Sequence, residues 1–359
     1  MTDGPRLRET LNGIPLYKAG QRPQPRDDLE TFKISSNENP YPPLPRVLDV
    51  IAEAARESNR YPDPSARELV EAISEYHDVS SDHVAVGTGA VALCYQVAHC
   101  TVDAGDEIIF PWRSFEAYPI VARVAGARAV PVPVDATGGH DLDAMASAVT
   151  DRTRLIFVCS PNNPTGTVVT QQALDEFLAR IPRDVLVVLD EAYVEFNRDA
   201  AAFDGIATYS GHDNVAVLRT FSKAYGLAGL RVGYAIAPER IIGALQQTAL
   251  PFGVSHIAQQ AAIASLADGV QLLERVDALV AERNRVLAGL RVGGWPVWDS
   301  QANFIWLGTA ERTEEFCVTC DAAGLTVRAF PGEGVRVTVA EPAANTRFID
   351  VANTFLSER

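Results

Sequence analysis

Four short segments gather the residue types that can do chemistry. They are Gly87-Thr88-Gly89-Ala90, Ser160-Pro161-Asn162-Asn163-Pro164-Thr165-Gly166, Asp190-Glu191-Ala192-Tyr193 and Thr220-Phe221-Ser222-Lys223. Glycines at 87 and 89 let backbone come close to a ligand, and a helix opening there turns its N–H groups toward an anion. Thr220 and Ser222 add hydroxyls and Arg231 a fixed cation, so the set can cup a phosphate. Asp190 ends a very apolar run, where a carboxylate needs a partner or a cationic ligand. Lys223 lies in a small, hydroxyl-rich stretch. Desolvation or nearby cations there lower a lysine pKa and favour a nucleophilic amine. A phosphate cup, a buried acid and a poised lysine describe a pyridoxal phosphate site, the acid pairing with the pyridine nitrogen and the lysine forming the Schiff base.

Each segment follows a run that reads as a strand, Brändén's position for ligands in an α/β sheet. Runs 154–159 and 184–190 are almost continuously apolar, as suits parallel strands buried on both faces. Shorter strand patterns lie at 83–86, 107–110, 129–134, 215–220 and 231–236. Helical patterns lie at 65–76, 90–100, 115–125 and 141–149. The alternation predicts an α/β fold with a mostly parallel sheet flanked by helices. After about residue 251 the texture changes to a long helix at 269–290, short strands at 304–307, 325–328 and 335–339, and a closing helix from 342. The expected division is an N-terminal arm over 1–36 that packs with the small domain, a large cofactor-binding domain over 37–250, and a small α+β domain over 251–359, with the site in the cleft between the two domains.

Composition excludes several classes. The 359 residues carry 31 Lys+Arg against 46 Asp+Glu, and 31 − 46 = −15, which disfavours nucleic acid and anionic lipid as partners. The polar residues 1–9 do not read as a secretory signal, and no apolar run approaches the ~20 residues of a membrane helix. The five cysteines are sparse and odd in number, which fits a reducing cytoplasm. Cys317 and Cys320 form a lone CxxC, too few ligands for structural zinc, so no metal is expected.

In their order, SPNNPTG, DEAY and TFSKAYGLAGLR resemble the fold-type I PLP-dependent aminotransferases, specifically the histidinol-phosphate/aromatic amino acid (phenylalanine) subgroup. The segments 36–40, 59–63 and 300–304 match it too, and the likeness runs from Tyr17 to the C-terminal helix. The resemblance implies Lys223 as Schiff-base lysine and proton shuttle, and Asp190 as the partner of the pyridine nitrogen. It implies Tyr193 and Asn163 at the cofactor's phenolic oxygen and Phe115 stacked on its ring. The backbone of Gly89, Ala90 and Val91, with Thr220, Ser222 and Arg231, would hold the phosphate. Tyr61 would reach the phosphate of the partner subunit in a homodimer. Arg336 would fork the substrate carboxylate. Tyr17, Asn37, Asn303 and Arg328 would line the substrate side.

Two departures bear on the substrate. The histidinol-phosphate pattern has Tyr where this chain has Phe115 and, later, Phe252. Each change deletes a hydroxyl that could meet a phosphate, on the order of 1–3 kcal/mol per lost donor in a closed site. Ala90-Val91-Ala92 also replaces the acidic residues that follow the glycines in that pattern. The segment WRSFEAYP resembles the aromatic branch. The expected activity is therefore transfer between phenylalanine or tyrosine and 2-oxoglutarate by a ping-pong route. Retained Arg328 keeps histidinol phosphate as the alternative. More remote are a PLP-dependent decarboxylase or lyase, and an NAD-dependent oxidoreductase. The latter rests on Gly87-x-Gly89-x-x-Ala92, a weak fingerprint that leaves Lys223, Asp190 and SPNNPTG without roles.

Overall fold

The computed structural model describes residues 4–5, 7–14, 20–21, 23 and 26–358. In chain order the first half holds β1 (Phe32–Lys33), α1 (Pro45–Ala54), α2 (Arg67–His77), β2 (Val84–Gly87), α3 (Ala90–Thr101), β3 (Glu107–Trp112), α4 (Ala117–Ala125), β4 (Arg128–Pro133), α5 (Leu142–Ser147) and β5 (Thr153–Cys159). The middle continues with α6 (Gln171–Leu178), β6 (Leu186–Asp190), α7 (Gly205–Tyr209), β7 (Val215–Thr220), β8 (Gly233–Ile236), α8 (Glu239–Thr248) and α9 (His256–Ala267). The last part holds α10 (Gly269–Val292), β9 (Phe304–Leu307), α11 (Thr313–Ala322), β10 (Leu325–Thr326), β11 (Arg328–Phe330), β12 (Gly334–Thr338) and α12 (Pro342–Ser357).

Seven strands form one sheet in the order β2-β8-β7-β6-β5-β3-β4. All run parallel except β8, which is antiparallel to both neighbours. The apolar runs read from the sequence are its central strands. Their side chains alternate between two cores: Ile156, Val158, Val187, Leu189 and Val217 face one layer, and Leu155, Phe157, Val188, Ala216 and Leu218 face the other. Helices α3, α4 and α8 cover the second face through Leu93, Val97, Val121 and Leu245. On the first face, Leu174 and Phe177 of α6 and Ala258, Ala261 and Ala262 of α9 pack. Short helices start where side chains cap them, Thr170 on α6, Asp204 on α7 and Ser255 on α9.

A second sheet, β11-β12-β9, is antiparallel throughout, and β1 pairs with β10 in a two-stranded parallel ribbon. The pattern at 325–328 therefore splits between two sheets, β10 and β11. The pattern at 231–236 begins as a strand only at Gly233, because Arg231 is held in the left-handed region at φ 57°. No helix among the described residues is long and apolar enough to cross a membrane.

Candidate active site

Because six strands of the large sheet share one direction, their carboxyl ends share one edge. Gly87, Cys159, Asp190 and Thr220 end β2, β5, β6 and β7 there. Reversed β8 brings its amino end to the same edge, which is why Arg231 precedes its strand while the other site residues follow theirs. Register is tight: Gly233 pairs with Gly87 on one side and Thr220 on the other, and Cys159 pairs with Asp190. A cavity of about 710 Å³ opens over this edge.

The acid lies at its floor. Asp190 is 3% exposed. Its Oδ2 accepts from Tyr118 Oη at 2.7 Å and its Oδ1 from the Ala192 N–H at 3.2 Å. The Tyr118 ring is itself fixed by stacking on Phe157 at 4.4 Å. Burial pushes the Asp190 carboxyl above its ordinary range, against the pull of the Tyr118 hydrogen bond. A cationic ring nitrogen there would restore the charged carboxylate.

Lys223 is half-buried, and its Nζ donates long bonds to the carbonyls of Ser36 (3.5 Å) and Asn37 (3.4 Å). Burial first, then the Arg336 charge, bring its pKa down to about 7; Arg231 adds to this and Glu38 opposes it. The Tyr193 ring centroid lies 5.6 Å from Nζ. Tyr193 Oη accepts from Asn37 Nδ2 at 3.0 Å, and burial raises its pKa, so the phenol stays protonated. Asn37, in the left-handed region at φ 53°, is pinned by Thr338 through its N–H at 2.8 Å and by Asn303, whose Nδ2 donates to its carbonyl at 3.2 Å.

Arg336 Nη1 donates to Asn163 Oδ1 at 2.6 Å and Nη2 to the Ser35 carbonyl at 2.9 Å. Arg328 Nη2 donates to Glu116 Oε2 at 2.8 Å. At the other side of the cavity, Gly89 is the cap residue of α3 at φ 83°, and a Cβ there would stand 2.5 Å from Arg231 Nη2. Arg231 Nη1 in turn donates to Ser222 Oγ at 3.3 Å, and Thr220 Oγ1 accepts from the Ser222 N–H at 3.1 Å. Glycine, two hydroxyls, a guanidinium and a helix N-terminus thus form one cradle of a size and charge that suit a phosphate. Cradle, desolvated acid and lowered lysine together fit pyridoxal phosphate.

Most of the expected residues meet here. Lys223, Asp190, Asn163, Tyr193, Thr220, Ser222, Ala90, Val91, Phe115, Arg231, Arg328, Arg336 and Asn37 all line the cavity, with Gly89 beside them. Asn303 lies buried behind Asn37. Tyr61 and Phe252 do not line this chain's cavity. They stack on each other at 4.6 Å, with Tyr61 83% exposed. Tyr17 lies outside the described residues. Sequence reasoning missed Tyr118 and Glu116, both in the WRSFEAYP segment at the start of α4. Their signal is positional, since a helix entering at the carboxyl end of β3 must face the site. It also missed Leu11 and Ile14, which line the cavity.

Residues 30–350 match the family aminotransferase class I and II. The chain belongs to that family. The aromatic amino acid aminotransferase of Streptomyces coelicolor is 56% identical over 99% of this chain and 98% of its own length. That of Thermobifida fusca is 50% identical over 98% of this chain and 97% of its own. Among solved structures, the histidinol-phosphate aminotransferase of Sinorhizobium meliloti, in complex with pyridoxal-5'-phosphate, superposes at TM-score 0.84 with 27% identity, covering 91% of each chain. An aminotransferase of Staphylococcus aureus shares the fold at TM-score 0.84 and 24% identity over 98% of both chains. This aminotransferase is therefore a PLP-dependent enzyme of fold type I, with the α/β architecture read from its strand pattern.

Proposed function

We propose that the enzyme moves the amino group between aromatic amino acids, phenylalanine and tyrosine foremost, and 2-oxoglutarate. The observation that carries this reading is the cavity wall. Its lining includes Leu11, Ile14, Phe115, Ile120 and Val124, apolar side chains that suit a ring. The names of its relatives at 50–56% identity support the same reading.

Bound in the cradle, pyridoxal phosphate supplies the electron sink that acidifies the substrate Cα–H. The chain's own groups do the rest. Arg231, Ser222, Thr220 and the α3 N-terminus anchor the phosphate, while Asp190 holds the ring nitrogen charged. Tyr193, kept protonated by burial, and Asn163 donate to the phenolic oxygen. Arg336 forks the substrate carboxylate. Lys223, as a neutral amine, would take the proton from the substrate Cα and carry it as general base and acid. The same groups run backward with the second oxoacid, so one site serves both halves of a ping-pong cycle.

The support for a homodimer is the exposed Tyr61–Phe252 stack, which this chain's own cavity does not use. In the proposed dimer both serve the partner's site. Five free cysteines agree with a cytoplasmic setting. Arg328 at the cavity wall favours histidinol phosphate as a second reading. The test is kcat/KM for phenylpyruvate with glutamate against histidinol phosphate with 2-oxoglutarate. A preference for the aromatic pair of at least about tenfold is expected, ~1.4 kcal/mol in transition-state binding. A preference of that size for histidinol phosphate sinks the aromatic reading.

A further inference from the structure

Glu116 is absent from every role assigned above, yet it lines the cavity and holds Arg328. The Arg328 side chain is only 12% exposed and that of Glu116 30%. The Phe330 ring is near two such pairs. Arg328 lies 5.5 Å from its centroid and Arg113 also 5.5 Å, and Arg113 is bound by Glu333 as Arg328 is by Glu116. Arg328, the cation that lines the pocket here, thus carries its own carboxylate, whereas Arg336 opposite it on β12 binds Asn163 Oδ1 and the Ser35 carbonyl.

We propose that Glu116 is a specificity-determining residue: it neutralises Arg328 from within and grades substrates by the charge at their far end. This deepens, and rests on, the aromatic reading above. A phenyl ring meets a charge-paired Arg328 and leaves the pair intact. A far carboxylate can share Arg328 through N–H groups not directed at Glu116, but it then faces a fixed carboxylate. A phosphate-like dianion meets the same carboxylate with twice the charge. Selectivity here comes from an added repulsion as much as from any attraction to the ring.

The test uses holoenzyme and three unreactive probes measured by titration calorimetry: 3-phenylpropionate, glutarate and 3-phosphonopropionate. They share one carboxylate and differ at the far end. In E116Q the Kd of 3-phosphonopropionate relative to 3-phenylpropionate should fall about tenfold and that of glutarate by a smaller factor, as expected when one like charge is removed. In R328Q both ratios should move the opposite way, because Glu116 is left uncompensated. Ratios within one variant are unaffected by a loss of folded fraction. Ratios unchanged within about twofold in E116Q, or equal weakening of all three probes, would overturn the inference while leaving the aromatic reading standing. Wild-type enzyme that binds 3-phosphonopropionate more tightly than 3-phenylpropionate takes down both.

Discussion

Burial acts in opposite directions on the two groups that matter most. It raises the carboxyl of Asp190 and lowers the ammonium of Lys223 to about 7, since in each case the charged form is the one disfavoured. For Lys223 the sign is clear. Free lysine has little neutral amine below pH 9, whereas this one gains it as pH rises through about 7. The rate at which cofactor-free enzyme captures pyridoxal phosphate should therefore climb with a midpoint near 7, followed by the growth of visible absorbance. A midpoint near 10 would contradict the lowered amine. Tyr118 is the second residue to test. Its hydroxyl gives the Asp190 carboxylate one of its two described hydrogen bonds. Tyr118→Phe should push the carboxyl still higher, weaken its grip on the ring nitrogen and lower kcat/KM about tenfold, on the order of 1.5 kcal/mol. Full activity in that variant would show that Asp190 needs no help.

The elements carry the next layer of the account. Central strands β5, β6 and β7 were legible because a strand buried on both faces has to be apolar throughout, and Asp190 stood out at the end of one. The reversed direction of β8 was not legible: its four residues, Gly233–Ile236, look alike in either direction. Strand β1, of two residues, leaves no period to read. Helix α9 escaped because it is buried on most sides by α1 and α2 and has no polar stripe. Tyr118 and Glu116 escaped for a related reason. Motifs name residues that touch the ligand, and these two act through Asp190 and Arg328. The α3 entry gives a prediction at this scale. Gly89→Ala places a methyl 2.5 Å from Arg231 Nη2 at a φ of 83°. Both the strain and the displaced guanidinium fall on the phosphate cradle, so cofactor affinity should drop by more than about tenfold with the fold intact. Equilibrium dialysis against pyridoxal phosphate measures it, and unchanged affinity would place the phosphate elsewhere.

At the scale of the whole molecule, one cavity joins the edge of the large sheet to β11 and β12 of the small one. Arg336 bonds Asn163 and Arg113 bonds Glu333 across that junction. Small changes in how the two sheets sit will therefore reach Arg336. The proposed dimer, in which Tyr61 serves the partner's site, is tested by subunit mixing. Tyr61→Ala and Lys223→Ala homodimers should each be weak. Random re-pairing should restore about a quarter of wild-type activity, because half the dimers are mixed and each contains one complete site. No recovery would place Tyr61 outside the partner's site.

The most direct measurement is a single half-reaction. Holoenzyme is mixed with excess phenylalanine, and separately with histidinol phosphate, and the absorbance of the lysine-bound cofactor is followed. The account predicts loss of that band with phenylalanine, faster and at lower concentration than with histidinol phosphate, as the pyridoxamine form appears. Conversion by histidinol phosphate alone, or a protein that shows no such band after pyridoxal phosphate is added, would contradict it.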